Sequence, residues 1–333
     1  MQLDTIFQLN LFFFYFYKIE KNMCRFEVFL VFLTLGHCLA IPVEDEIDSS
    51  EHGVTPGRIS TNCTCGLSNK SPKRIIGGKE AGVNEWPMMA AIIITKHKNW
   101  PNNVYWCGGT VITHRHILTA GHCLHDDDGK AFEPKHIGVI LAAHNLNKLD
   151  YNDPNVLRSP EKLIKHPEYE FPVSHDMGLI IMPYITFSRT IGPACLPTER
   201  FNFVNKRMKV TGWGFTKPSG PVSDVLKKTD LIGITQEKCA KVYKNVIGAV
   251  FDTNYQMCTF QPGTSDCSGD SGGPIMWVDK DINRYVLVAA PSYGGSGCKY
   301  HPGVNSDVTY FIPWIQQTIS ETYPEEKTCS KAA

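Results

Sequence analysis

The chain has 333 residues, with 33 Lys+Arg balancing 33 Asp+Glu, 42% apolar residues and 20% charged ones. That balance excludes disordered chains and nucleic-acid-wrapping proteins, which combine low apolar content with large net charge. The length permits one large domain or two ordinary ones, and 12 cysteines point to an oxidising compartment if an export signal is present.

The first 40 residues hold two apolar runs, 7–17 and 28–35. Each is shorter than the roughly 20 residues that span a bilayer. Met23 and Arg25 precede the second run, and Cys38-Leu39-Ala40 closes it with small residues, the layout of a signal peptide cleaved after Ala40. A membrane anchor over 6–39 would be interrupted by Lys18, Glu20, Lys21 and Glu27. Residues 1–40 therefore read as a signal region, with translation starting at Met23 and residues 1–22 belonging to an over-long gene model. The stretch 41–73 is polar and reads as a linker or pro-segment rather than a domain. It carries Cys63, Cys65 and two glycosylation sequons, at Asn62 and Asn69.

From Ile75 onward the pattern is all-β. Short apolar or alternating runs recur at 88–95, 110–118, 137–142, 178–182, 208–212, 274–278 and 285–290, separated by turn residues. One helix is evident near the C-terminus, where Phe311, Ile312, Ile315 and Ile319 recur at helical spacing with Pro313 expected in the first turn. No repeat, phosphate-binding glycine loop or zinc-type Cys/His cluster stands out.

Three stretches carry chemistry. Asp266-Cys267-Ser268-Gly269-Asp270-Ser271-Gly272-Gly273-Pro274 places a serine in a glycine-rich turn. Such a turn exposes its hydroxyl and leaves backbone N–H groups free for a developing oxyanion. Leu118-Thr119-Ala120-Gly121-His122-Cys123 puts a histidine at the end of an apolar strand, and Ser174-His175-Asp176-Met177-Gly178 puts an aspartate at the start of another. A carboxylate entering a buried strand needs a hydrogen-bond partner, and an imidazole N–H is a natural one. A serine alcohol in turn needs a base whose tautomer is fixed. His114, His116 and His175 read as ordinary structural histidines.

With these stretches the chain resembles the chymotrypsin/trypsin family of secreted serine endopeptidases from Ile75 to about Thr322. The resemblance implies two packed six-stranded antiparallel β-barrels with a C-terminal helix. It makes His122 the general base, Asp176 its orienting carboxylate and Ser271 the nucleophile, with the N–H groups of Gly269 and Ser271 as oxyanion hole. Ser292 matches the serine that supports the aspartate and the substrate backbone. Arg74-Ile75-Ile76-Gly77-Gly78 matches the activation junction, so cleavage after Arg74 would free the Ile75 amine to pair with Asp270. Residues 41–74 are then the pro-segment, and 75–333 the catalytic domain with a short tail.

The resemblance also implies pairs Cys107–Cys123, Cys239–Cys258 and Cys267–Cys298, and a tether from Cys195 to Cys65 or Cys63, with Cys65 preferred. Cys63 and Cys329 are left for each other, while Cys24 and Cys38 leave with the signal. One family disulfide is missing from both ends, at Met208 and Trp277, where apolar packing can substitute. Ser265, at the expected pocket base, and the open walls at Gly294 and Gly303 lean toward large apolar side chains before the scissile bond. Asp266 keeps Arg/Lys specificity as the alternative. Ala142-Ala143-His144-Asn145 lacks the carboxylate of calcium-binding members, so neither a metal nor another cofactor is expected, and Asp150 and Asp153 read as loop surface. The Cys-x-Cys-Gly pro-segment resembles insect venom, immune or clotting-type proteases, with a digestive role as runner-up. A non-catalytic binding homologue is the reading from another class. The expected partners are protein or peptide substrates, an activating trypsin-like protease and protein inhibitors, with no nucleic acid and no membrane.

Overall fold

The computed structural model describes residues 53–69, 79–95, 104–126, 128–215, 220–243, 251–262, 267–294 and 301–333. The signal region, Arg74, Ile75, Ser265, Asp266 and Cys298 lie outside these residues. After a short strand β1 (Lys79–Glu80), the first sheet is built on β2 (Met89–Ile94), whose six residues are all buried. Such an unbroken apolar run suits a strand covered on both faces. Around it lie β3 (Tyr105–Val111), β4 (His116–Thr119), β5 (Ile137–Leu141), β6 (Leu157–Arg158), β7 (Lys162–Lys165) and β8 (Gly178–Ile181), in the order β6-β5-β2-β3-β4-β8-β7. The run expected over 110–118 divides here, because the chain turns at 112–115 between β3 and β4.

The second sheet begins with β9 (Cys195–Leu196) and continues through β10 (Arg207–Gly212), β11 (Lys227–Ile234), helix α1 (Gln236–Tyr243) and β12 (Gln256–Thr259). It is completed by β13 (Ile275–Asp279), β14 (Arg284–Gly294), β15 (Gly303–Asp307), helix α2 (Val308–Thr322) and β16 (Cys329–Ser330). Strands β13-β10-β11-β12-β15-β14 pair in sequence, and β14 pairs back onto β13, closing a six-stranded barrel. The first sheet is a half-barrel of seven short strands whose outer strands β6 and β7 do not pair among the described residues. The all-β, chymotrypsin-like architecture is thus present, as one closed six-stranded barrel and one seven-stranded half-barrel where two six-stranded barrels were expected, with parallel pairings of β9 to β14 and to β16 added to the antiparallel ladders.

Each sheet encloses its own apolar cluster, and a third cluster joins Leu118 and Leu179 of the first to Met276 and Leu287 of the second. Met208 is buried in the core of the second barrel, and the half-buried Trp277 packs against that core, meeting Phe201 at 4.8 Å. Helix α2 starts at Val308, capped by Asp307, so Pro313 lies inside it rather than in the first turn. Burial of Phe311, Ile315 and Ile319 outweighs the hydrogen bond that proline removes.

Residues 53–69, read from sequence as a linker, are packed against the second barrel. Gly66 N donates to Pro193 O and Tyr285 N to Gly66 O, while Gly57 and Ile59 donate to Ile282 and Asp281 carbonyls. Disulfides Cys65–Cys195 and Cys63–Cys329 join this segment to β9 and to the tail, with Cα separations of 4.9 and 5.2 Å. Cys107–Cys123 and Cys239–Cys258 close loops within the barrels, and Cys267 is disulfide-bonded as well.

Candidate active site

His122 sits on a 3-10 turn, Gly121–Leu124, that follows β4, and Asp176 lies two residues ahead of β8. Because β4 and β8 are paired, with Thr119 opposite Gly178, the turn and the aspartate meet at the same end of the sheet. His122 Nδ1 lies 2.8 Å from Asp176 Oδ2, and His122 N donates to Asp176 Oδ1 at 2.8 Å. Both carboxylate oxygens therefore grip one residue. Ser292 of β14 donates its hydroxyl to Oδ2, and Ser306 of β15 donates to the Asp176 carbonyl at 2.7 Å. The contact with a carboxylate places the His122 proton on Nδ1 and leaves Nε2 as the free basic nitrogen.

Burial alone would lift the Asp176 pKa. The neighbouring imidazole charge and the hydrogen bonds from His122 and Ser292 overcome it and hold the carboxyl below the usual range. Burial would likewise lower His122, and the Asp176 charge and hydrogen bond reverse that, leaving the imidazole above its ordinary value. The pair thus favours a charged histidine once a proton has been taken up.

The Ser271 turn is fixed against this pair from the other barrel. Gly108 N donates to Ser271 O at 2.8 Å, and Cys123 Sγ touches both Ser271 O at 3.6 Å and His122 Nε2 at 3.7 Å. Gly272 has φ +73, and a Cβ there would meet Thr119 Oγ1 at 2.3 Å, so the turn lies directly on the end of β4. Gly269 has φ +96, again a conformation that favours glycine. Among the described residues, neither Gly269 N nor Ser271 N donates to a main-chain carbonyl. Two donors beside a hydroxyl are what an oxyanion would require.

Asp270 points the other way, accepting from Gly214 N at 2.8 Å and Cys267 N at 3.0 Å. Its carboxylate lies so close to Gly212 and Gly214 that a Cβ at either would meet it at 2.0 and 2.3 Å. Gly294 and Gly303 are directly opposite in β14 and β15, and among the described residues a Cβ on Gly294 would meet nothing within 4 Å. Among the described residues the one grouping of metal-ligand atoms is Cys107, His122 and Cys123, and its two sulfurs are joined as a disulfide.

The two sequons have different surroundings. Asn62 is exposed and accepts from Ser330 N at 2.8 Å, whereas Asn69 Nδ2 donates to the carbonyls of both Asn84 and Arg189. A glycan on Asn69 would replace one of those hydrogens. Of the loop aspartates, Asp150 accepts from Asn152 N and Asp153 from Asn155 N, each closing a local turn. Sequence reasoning did not single out Ser306, whose bond to Asp176 spans two barrels and has no local signal.

A family model described as Trypsin matches residues 75–315. Venom serine protease 34 of Apis mellifera is 34% identical over 81% of this chain, which spans 63% of that protein. A venom serine protease of Polistes dominula is 34% identical over 81% of this chain and 94% of its own length. The proclotting enzyme of Tachypleus tridentatus is 34% identical over 76% of this chain and 68% of its own.

Proposed function

Because the chain belongs to the trypsin family of serine endopeptidases, we propose that it is a secreted zymogen activated by cleavage after Arg74. In this reading Ser271 Oγ attacks the scissile carbonyl while His122 Nε2 takes its proton. Asp176 holds the imidazole tautomer and stabilises the imidazolium, and the N–H groups of Gly269 and Ser271 receive the oxyanion. The leaving amine departs with the proton from His122, and water then hydrolyses the acyl-enzyme by the same relay. The observation that carries the reading is the double grip of Asp176 on His122, 2.8 Å at both oxygens, beside a serine turn packed on the same β4 end.

Activation is supported by the place of β1. Lys79 and Glu80 pair with Lys228 and Lys227, which themselves pair with Thr211 and Gly212, beside the Asp270 carboxylate. The new N-terminus would trail four residues from that anchor, a reach of about 13 Å. Two strand spacings, about 10 Å, lie between β1 and β10, so the Ile75 amine can reach Asp270 with β1 in place. A venom or clotting-type cascade accords with the names of the relatives, and the same reading includes a trypsin-like activator, matched to the basic residue Arg74, and protein inhibitors. A lean to apolar residues before the scissile bond rests on Ser265, with Arg/Lys through Asp266 as the alternative.

The test is a fluorophosphonate probe applied before and after cleavage. We expect label on Ser271 only in the cleaved chain and none in the Arg74→Gln variant. A cleaved chain that takes no label would leave the non-catalytic homologue as the reading. A peptide-library profile of the cleaved, unlabelled chain then decides between Ser265 and Asp266 as the determinant of specificity.

A further inference from the structure

Nothing in the sequence distinguishes His175 from an ordinary neighbour of Asp176, yet the fold holds it on every side. Its φ is +44, a left-handed conformation that few residues other than glycine adopt. Its ring stacks on Tyr255, just ahead of β12 in the second barrel, with centroids 4.0 Å apart. On the first barrel's side it stacks on His166, just past β7, at 5.4 Å and nearly parallel. Glu168 Oε2 lies 3.3 Å from Nε2 and Ser174 Oγ lies 3.2 Å from Nδ1. The Glu168 carboxylate therefore faces Nε2, and Nδ1 is hydrogen-bonded to the Ser174 hydroxyl. Tyr310 of α2 adds a phenol 3.4 Å from Nε2.

The main chain is held as firmly. Met177 N donates to His175 O at 2.7 Å, and Ser306 fixes the next carbonyl, that of Asp176. The peptide entering Asp176 therefore takes its direction from a ring wedged between the barrels. Turning that peptide would swing the carboxylate off one of its two contacts with His122.

We propose that His175 is a positioning residue whose ring, wedged between Tyr255 and His166, aims the Asp176 carboxylate at His122. The proposal rests on the reading of His122 and Asp176 as base and orienting carboxylate. It predicts an effect on the reaction rather than on substrate binding, because the ring acts through Asp176.

The test compares the full chain cleaved after Arg74 with its His175→Val and His175→Asn variants. Valine removes the ring and resists the left-handed backbone, whereas asparagine accepts that backbone but lacks the ring. We expect His175→Val to lower kcat by about tenfold or more with KM within about twofold, since small misplacements of a reacting group are costly. The acid limb of kcat/KM should move to lower pH as His122 loses its carboxylate. His175→Asn should recover part of kcat. The proton NMR signal of His122 Nδ1–H, shifted far downfield by its bond to Asp176, should move or broaden in both variants.

Unchanged kcat, acid limb and NMR signal in His175→Asn, or in a folded His175→Val, would overturn the proposal. An equal fall in thermal stability with an unmoved acid limb and signal would do so too. If the cleaved parent takes no fluorophosphonate label, the proposed function fails, while the NMR comparison still decides whether His175 aims Asp176. Should the valine variant not fold, the asparagine variant carries the same comparison.

Discussion

At the scale of single residues, the behaviour of the site follows from one buried carboxylate. Asp176 holds the imidazole of His122 above its ordinary pKa, and a general base must be neutral to act. Activity should therefore fall as pH drops through that raised value, with kcat/KM half-maximal above pH 6.5. Asp176→Asn keeps the shape but removes the charge. It should cost roughly ten-thousand-fold in kcat, the size of the same change in other serine triads, and move the acid limb downward. A pH–rate profile of both proteins checks the two effects together. The sequence allowed these residues to be picked out because each stands in a short stretch with its own local logic, a glycine turn or a strand end. It did not reveal Ser306, and it left His175 without a role, because their contacts come from strands and helices far along the chain.

At the scale of elements, two buried histidines fasten the first barrel to helix α2. His116 of β4 lies between Thr113 Oγ1 at 2.7 Å and Thr322 Oγ1 at 2.8 Å, the latter at the end of α2. His166 packs edge-on against Phe311 and Trp314. Burial, helped by Arg115 at His116 and by His175 at His166, lowers both pKa values from 6.5 to about 4. Between those values the unfolded chain binds more protons than the folded one, so stability is full above pH 6.5 and is lost toward pH 4. Each histidine contributes on the order of 3 kcal/mol to that loss. Melting at pH 7 and at pH 4.5 should show it, and replacing His116 by glutamine should flatten the dependence.

The Glu85–Lys228 pair, at 2.6 and 2.7 Å with Glu85 buried, anchors the segment after β1 to β11. Lys228→Met would strand the carboxylate and cost on the order of 3 kcal/mol, with Glu85→Gln restoring much of it in the double variant. Urea unfolding measures both. Strand β11 shows why some elements escaped sequence reasoning. Its Lys, Asp and Gly residues lack a clean alternation, and Gly233 is there because a Cβ would lie 1.9 Å from Phe203 O. Strands β2, β5, β8 and β10 were legible because burial on one or both faces leaves an apolar record.

At the scale of the whole molecule, residues 53–69 belong to the second barrel's surface as much as any loop of it. With Cys65–Cys195 and Cys63–Cys329 both formed, cleavage after Arg74 should leave one covalent molecule. A denaturing gel without reductant should show a single band for the cleaved chain. Removing Cys65 and Cys195 together should leave that band intact through the second tether, and removing all four cysteines should split it. The sequence by itself singled out the chemistry-bearing stretches, the all-β class and a polar segment ahead of them. Those features reside in neighbouring residues, where periodicity, turns and motifs can express them. Only the tertiary structure decided what touches what. Ser292 reaches Asp176 across 116 positions, residues 53–69 pack on the second barrel, and His175 meets both barrels. Contacts between residues so far apart are set by how the sheets pack, and no local pattern records that.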